Sequence, residues 1–260
     1  MFQNSLQGLK SWQFVYLREV TSTNSYLKDN CANTNPRQKK VVFTDHQTEG
    51  RGQYGSTWSS EQKSNLLCSL YLPMERQSID PTFPFQWNMY IAVVLRQVIQ
   101  HYVDHPVTIK WPNDIIINDK KVAGILIQNL YSGSQLSSSI IGIGVNVNQE
   151  TFDESLPYAT SLRQVIHRYL DREEILYRLV STLDQQVITE SMLKNSDTIL
   201  NLYNNQLYKK GEIVTCMDKE ANTMQGQLSH VDKNGDLNLH SNGALLKLPH
   251  GHYRLAVYQG

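Results

Sequence analysis

Two stretches of the sequence set charged residues where an anionic ligand could be handled. The first, "TEGRGQYGSTW" at residues 48–58, puts Arg51 between Gly50 and Gly52 and follows it with Gly55 and Trp58. Glycines let backbone N–H groups approach an anion closely, and a guanidinium can fork onto phosphate oxygens. A flexible loop carrying Arg51 beside Trp58 can fold over a ligand and exclude water, which suits a reactive phosphate-containing intermediate. The second stretch, "IKWPNDIIINDKKVAGILIQ" at residues 109–128, clusters Lys110, Asn113 and Asp114 at a proline-broken strand end, and Lys121 begins the returning strand. The two lysines would neutralise phosphate oxygens, and Asp114 would hold Mg²⁺. Strand alternation sets Lys121, Ala123, Ile125 and Ile127 on one face, where the small Ala123 and Gly124 leave room for a ligand.

The glycines of the first stretch also spell G-x-G-x-x-G, the dinucleotide-binding fingerprint. That fingerprint needs a strand before it, a helix opening at its third glycine, and an acidic residue about 20 positions on. Only the strand is present. "STWSSEQKSN" has no helical periodicity and leads into another strand, "NLLCSLYLP", so a nicotinamide or flavin enzyme is excluded on context.

The elements that must position these residues follow from hydrophobic periodicity. "WQFVYLREV" (12–20) and "KKVVFTDHQ" (39–47) are strands, and "TSTNSYLKDN" (21–30) between them is a short helix capped by Ser22 or Thr23. "FQWNMYIAVVLRQVIQHY" places Ile91, Val94, Leu95, Val98 and Tyr102 at helical spacing. "VTIKWPNDIIIN" and "KKVAGILIQNLY" are strands joined through Asn118, Asp119 and Lys120, and "SSIIGIGVNVN" is a further buried strand. From 161 to 208 the pattern is helical, with Asp171 as a cap and Glu174 at the reciprocal capping-box position. Beyond Lys209, short strands alternate with glycine turns. The fold class is therefore α/β (α+β), with a mixed-sheet domain over 1–208 and a small β-barrel over 209–260.

Composition narrows the classes. The 260 residues carry 24 basic and 24 acidic side chains, which argues against a general nucleic-acid binder. Cys31, Cys68 and Cys216 form no C-x-x-C pair and read as reduced thiols. The start lacks a signal-peptide pattern, and no apolar run approaches the roughly 18 residues of a membrane span. The expectation is a cytoplasmic protein with neither a nucleic acid nor a membrane as partner.

Taken together, "TSTN" (21–24), "TDHQTEGRGQYGSTW" (44–58), "NLLCSLYL", "KWPNDIIINDKKVAGILIQ" (110–128), "IGIGVNVN" (141–148) and "ATSL" (159–162) resemble the biotin protein ligase family. The resemblance implies a catalytic domain of the biotin/lipoate ligase type with an SH3-like C-terminal barrel. It implies that biotin and ATP, with Mg²⁺, form biotinyl-adenylate, and that a lysine of a biotin carboxyl carrier domain then takes the biotin. Within the motif, Ser22, Thr23 and Asn24 match the segment that hydrogen-bonds the biotin rings, and Gln47 matches the glutamine beside the ligand. Gly50, Arg51 and Gly52 match the biotin and adenylate loop, with Gln53 in the same loop and Trp58 packed over the ligand. Lys110 and Asp114 match the phosphate and metal end, and Lys121 matches the lysine that contacts the biotin carboxylate and the α-phosphate. Gly124 belongs to the same stretch, and Asn146 matches a position near the adenine. Arg51, Lys110 and Lys121 are the expected catalytic set. A homodimer joined at an exposed edge strand is compatible with the resemblance.

Rival classes fit less well. Lipoate ligases and octanoyltransferases share the fold but carry an Arg-rich Gly-Gly-Gly segment followed by His-Asp, and a non-catalytic biotin sensor would lack the basic residues present here. The segment before "TSTN" is shorter than a winged helix-turn-helix, so the expectation is the type without a DNA-binding repressor part. His252 stands where an acidic residue is expected, which puts in doubt a role for the barrel in ATP binding. Gln53 stands where some members have arginine, and Ser56 and Thr57 replace nearby basic residues, so the lid holds its intermediate with fewer charges. The resemblance then predicts that Gln53→Arg lengthens the lifetime of enzyme-bound biotinyl-adenylate; equal lifetimes in a single-turnover chase would refute it.

Overall fold

The structure is a computed structural model that describes residues 8–31, 37–74, 82–186 and 196–256. Residues 1–7, which include the start expected to lack a signal-peptide pattern, and the side chain of Cys31 lie outside the described set. A seven-stranded sheet forms the larger body, in the order β1-β2-β3-β7-β6-β5-β4. Its strands are β1 (Trp12–Leu17), β2 (Lys39–Thr44), β3 (Leu66–Pro73), β4 (Val107–Lys110), β5 (Asp114–Ile117), β6 (Lys120–Ser132) and β7 (Gln135–Val145). Only β1 and β2 pair in parallel; every other neighbour is antiparallel. The short helix α1 (Thr23–Cys31) makes the β1–β2 crossover that parallel pairing requires.

Period-2 alternation divides the sheet into two faces. The row Leu66, Val145, Ala123 and Ile115, matched across β3, β7, β6 and β5, is wholly buried against helix α2 (Phe83–Gln100). Helices α4 (Arg172–Gln186) and α5 (Ser196–Asn205) complete that layer; the short α3 (Leu162–Ile166) precedes them. On the opposite face, Leu27 of α1 packs with Val42, Tyr71 and Ile140.

Local differences from the sequence reading have clear causes. The Thr23 N–H at the start of α1 is met by Gln47 Oε1 at 2.8 Å, so a side chain from another segment caps the helix. Asp171 does cap α4, accepting from Glu173 N at 2.8 Å, but Glu174 turns away and takes the Tyr102 hydroxyl at 3.2 Å. "VTIKWPNDIIIN" is two strands, because a turn at residues 111–113 reverses the chain between β4 and β5.

The largest difference is a β-bulge. Ile115 pairs with Ala123 but Ile116 pairs with Lys121, so Val122 is an inserted residue. The insertion shifts the alternation by one, a slip that exchanges faces. Lys121 therefore shares the α1 face with Gly124 and Asp114, while Ala123 is sealed in the core. The expectation that Lys121 and Ala123 share a face is corrected by this one residue.

A second, five-stranded antiparallel sheet follows, in the order β11-β10-β9-β8-β12. It comprises β8 (Ile213–Asp218), β9 (Thr223–Val231), β10 (Leu237–Ser241), β11 (Ala244–Leu248) and β12 (Tyr253–Ala256). Hydrogen bonds and ring contacts tie it to the larger body. Trp111 Nε1 donates to Gly235 O at 2.9 Å, and Asn204 exchanges two hydrogen bonds with the backbone of Val231. His250 packs edge-on against both Trp111 and Phe85. Trp111→Phe leaves the buried Gly235 carbonyl without its donor, and urea unfolding should register a loss of about 1–3 kcal/mol.

Candidate active site

The α1 face of the large sheet is unusually bare. "IIGIGV" at the end of β7 alternates isoleucine and valine toward the core with Gly142 and Gly144 toward α1. Gly144 is matched across the ladder with Gly124, and Gly142 with Leu126 and Ser69. The missing side chains are replaced by two groups from elsewhere. A Cβ on Gly142 would lie 2.4 Å from Asn24 Oδ1, and one on Gly144 would lie 2.5 Å from the Trp58 ring. Above this floor lies a cavity of about 370 Å³.

At one end of the cavity, Ser22, Thr23, Asn24 and Gln47 form the wall. Behind them, Ser69 is wholly buried on β3 and lies 2.6 Å from Thr23 Oγ1 and 2.5 Å from Asn24 Oδ1. The Asn24 amide nitrogen faces Leu126 O at 3.3 Å and Gln128 Oε1 at 3.4 Å. At this end Thr23 Oγ1 and Asn24 Oδ1 are held against Ser69, and Gln47 Oε1 lies 3.0 Å from Thr23 Oγ1. Hydroxyl and amide groups lining one end of a cavity suit a planar polar ring that carries N–H and carbonyl groups.

At the other end, three charged groups form a triad. Lys121 Nζ is 2.6 Å from Asp114 Oδ1, and Lys110 Nζ is 3.8 Å from Asp114 Oδ2. Burial pushes the Lys110 ammonium below the ordinary lysine range, the charges of Lys121 and Arg254 push the same way, and Asp114 opposes them. Lys121 Nζ also stands 5.4 Å from the centre of the Trp58 ring, a cation–π contact. A hollow of about 190 Å³, lined by Ser155–Ala159, adjoins the triad and shares Lys110, Asp114 and Lys121 with the main cavity.

The triad revises the role expected of Asp114. Both carboxylate oxygens face ammonium groups, and among the described residues no three His, Cys, Asp or Glu side chains gather around a metal site. Two cations within 4 Å repel a divalent ion, so these residues do not fit a protein-held Mg²⁺. Asp114 is the shared counter-ion of two lysines.

The lid is a small hairpin. Trp58 N donates to Gly50 O at 2.9 Å and Gly52 N to Ser56 O at 2.7 Å, around a 3₁₀ turn at Gln53–Gly55. A Cβ on Gly50 would meet Trp58 O at 2.3 Å, so this glycine allows the two strands of the hairpin to touch. Gly50 does not line the cavity, whereas Arg51, Gly52, Gln53 and Trp58 do. The Trp58 indole N–H is buried without a hydrogen-bond partner among the described residues.

Of the residues singled out from sequence, Ser22, Thr23, Asn24, Gln47, Arg51, Gly52, Gln53, Trp58, Lys110, Asp114, Lys121 and Gly124 come together around one cavity. Asn146 does not; its buried amide donates to Thr160 O at 3.0 Å and braces the next segment of chain. Sequence reasoning missed Ser69, Gly142, Gly144 and the strand β12. His252 is exposed and outside the cavity, but Tyr253, Arg254 and Leu255 on β12 complete its wall. The alternating glycines of "IGIGV" were a usable signal for the floor; nothing local marks β12. Cys68, one residue before Ser69 on β3, turns its side chain into the core, where burial pushes its thiol up to about 12, so it is not a nucleophile at neutral pH.

A mixed sheet with one face cleared of side chains, a wall of hydrogen-bonding groups and a cationic end beside a lid hairpin defines a class of site, one suited to a small ligand with a polar ring at one end and a negative charge at the other. Comparison with known sequences is more specific. The family described as "Biotin/lipoate A/B protein ligase family" matches residues 16–146, and the chain belongs to that family. It is 33% identical over 185 residues to the "Bifunctional ligase/repressor BirA" of Bacillus spizizenii, covering 69% of this chain and 56% of that protein. It is 30% identical over 248 residues to the Bacillus subtilis protein of the same name, covering 93% and 74%. The fold matches the biotin protein ligase from Aquifex aeolicus solved with biotin and ATP, with TM-score 0.77, 24% identity and coverage of 94% and 98%.

The triad yields a pH-dependent expectation. A lysine whose folded-state pKa lies below its unfolded value destabilises the fold while protonated, and the penalty fades as pH rises through the folded pKa. Asp114→Asn removes the counter-ion and enlarges that penalty. Urea unfolding should show the variant less stable than wild type near pH 7, with the gap narrowing near pH 10.

Proposed function

We propose that this protein is an ATP-dependent biotin protein ligase that forms biotinyl-5′-AMP and transfers biotin to a lysine of a carboxyl carrier domain. The observation that carries this reading is the polarity of the main cavity. Its Thr23–Asn24–Gln47 end complements a cyclic urea, and its Lys110–Lys121 end complements carboxylate and phosphate. Biotin has a cyclic urea at one end and a carboxylate at the other.

The ureido ring sits against Thr23, Asn24 and Gln47, and the aliphatic tail runs over Gly124 and Gly144 beside Trp58. The tail's carboxylate then reaches Lys121. ATP enters with Mg²⁺ on its own phosphates, and the hollow lined by Ser155–Ala159 beyond the triad is where its nucleoside rests. A carboxylate oxygen attacks the α-phosphorus as the bond to the bridging oxygen breaks and pyrophosphate leaves. Lys110, Lys121, Arg51 and Arg254, which all line the cavity, neutralise the charge on the phosphates.

The lid hairpin screens the resulting mixed anhydride from water. A neutral lysine amine of the carrier then attacks the acyl carbon, and AMP departs with the carbon–oxygen bond's electrons. The protonated Cys68 thiol supports direct transfer without an acyl-cysteine. Free buried thiols at Cys68 and Cys216 support a reducing compartment, and no helix among the described residues is long and apolar enough to cross a membrane.

The test mixes the protein, Mg-ATP and a biotin carboxyl carrier domain with biotin or with lipoate, and follows the carrier by mass spectrometry. The expected result is a biotin-sized gain that requires ATP and falls at least 100-fold in rate in Lys121→Ala. A lipoyl gain would overturn the substrate, and tight biotin binding without transfer would overturn the reaction.

A further inference from the structure

Ser69 lies behind the cavity wall and touches no ligand space, yet it occupies the centre of a hydrogen-bond chain whose protons can be counted. The Asn24 amide nitrogen must face Leu126 O, a backbone carbonyl that can only accept. Asn24 Oδ1 therefore points at Ser69 and accepts from its hydroxyl at 2.5 Å. A serine has one hydroxyl proton, and this contact uses it.

The proton in the 2.6 Å contact between Thr23 Oγ1 and Ser69 Oγ must then come from Thr23. The alternative acceptor, Gln47 Oε1, is farther from the Thr23 hydroxyl at 3.0 Å and already accepts the Thr23 N–H at 2.8 Å. The chain runs one way: Thr23 hydroxyl to Ser69 hydroxyl to Asn24 carbonyl. Its direction leaves only lone pairs of Thr23 and Asn24 facing the cavity.

We infer that Ser69 is a specificity-determining positioning residue, which holds Thr23 and Asn24 as hydrogen-bond acceptors and so selects a ring that presents two N–H groups. Without the Ser69 hydroxyl, the Thr23 proton turns to Gln47 Oε1 at 3.0 Å and the Asn24 amide loses the donor that fixes its orientation. An Asn24 amide free to turn its nitrogen outward admits an acceptor where the wild type requires a donor. The location explains why the chain is stable: Ser69 is opposite Gly142 in the β3–β7 ladder, and the space above that glycine holds the Asn24 amide.

This inference rests on the biotin reading and is tested separately from it. Biotin-dependent exchange of pyrophosphate into ATP is measured for wild type, Ser69→Ala and Ser69→Cys. The competing ligands are the cyclic carbamate analogues of biotin, in which a ring oxygen replaces one ureido N–H. Wild-type protein should discriminate strongly for biotin, because a carbamate oxygen would face an acceptor. In Ser69→Ala the KM for biotin should rise about tenfold and the preference over the carbamates should fall by about the same factor, with the KM for ATP unchanged. Ser69→Cys, a weak donor of similar size, should lie between them and supplies the answer if the alanine variant does not fold.

Unchanged discrimination in both variants, or parallel rises in the KM values for biotin and ATP, would overturn the role of Ser69. Absence of any biotin-dependent exchange in the wild type would instead overturn the function proposed above.

Discussion

The site depends on one steric constraint: a patch of sheet from which side chains are missing. Gly124, Gly142 and Gly144 leave one face of two paired central strands at backbone height, while Ile125, Ile141 and Ile143 on the alternate positions anchor those strands in the core. A closely packed interior does not tolerate empty volume, so the clearing is occupied by Asn24 and Trp58. Those two side chains are brought by separate segments, one at the start of a helix and one on a loop. The glycines thus decide where the wall and the lid come to rest. A methyl group at Gly142 or Gly144 would displace one or the other.

The charged end follows an opposite logic. Placing Lys110 in a largely buried position costs folding free energy, and the depressed protonation of that lysine is its signature. Asp114 limits the cost by standing between Lys110 and Lys121, at 3.8 and 2.6 Å. The positions of these groups are fixed by bonds to the turn that joins β4 and β5. Pro112 O accepts from Asn88 Nδ2 at 2.9 Å and from the Tyr203 hydroxyl at 3.1 Å, while Trp111 is bonded to the smaller sheet. An anionic ligand adds the counter-charge that one carboxylate cannot supply to two ammonium groups, so binding energy and folding strain act on the same atoms.

Much of this was legible in the sequence because it is local. The strands, the long amphipathic helix and the two basic motifs each announce themselves within about a dozen residues, through alternation, 3.6-residue periodicity or a glycine–arginine pairing. What escaped was non-local or depended on a count of one. The bulge at Val122 reverses the face of Lys121, and no composition signal separates "KKVAG" with a bulge from the same letters without one. Asp114 looked like a metal ligand because its two lysine neighbours become simultaneous contacts only once the hairpin closes. Asn146 lies in a stretch that runs close to the site, yet its amide is turned to Thr160. Ser69 is a small polar residue in an apolar strand, and its meaning comes from Thr23 and Asn24, some forty-five positions earlier.

The participation of β12 has a temporal consequence. The cavity wall begins at Ser22 and is completed by Tyr253, Arg254 and Leu255, so its two edges are separated by nearly the whole described chain. During synthesis the residues of the hydrogen-bonding wall emerge long before the guanidinium that joins the cationic end. A growing chain can collapse its central sheet, but the cavity has an open side until the strand carrying Arg254 has left the ribosome and paired with β8. A complete cavity therefore arrives in one late step, and a chain interrupted before that strand has a cavity without its last wall.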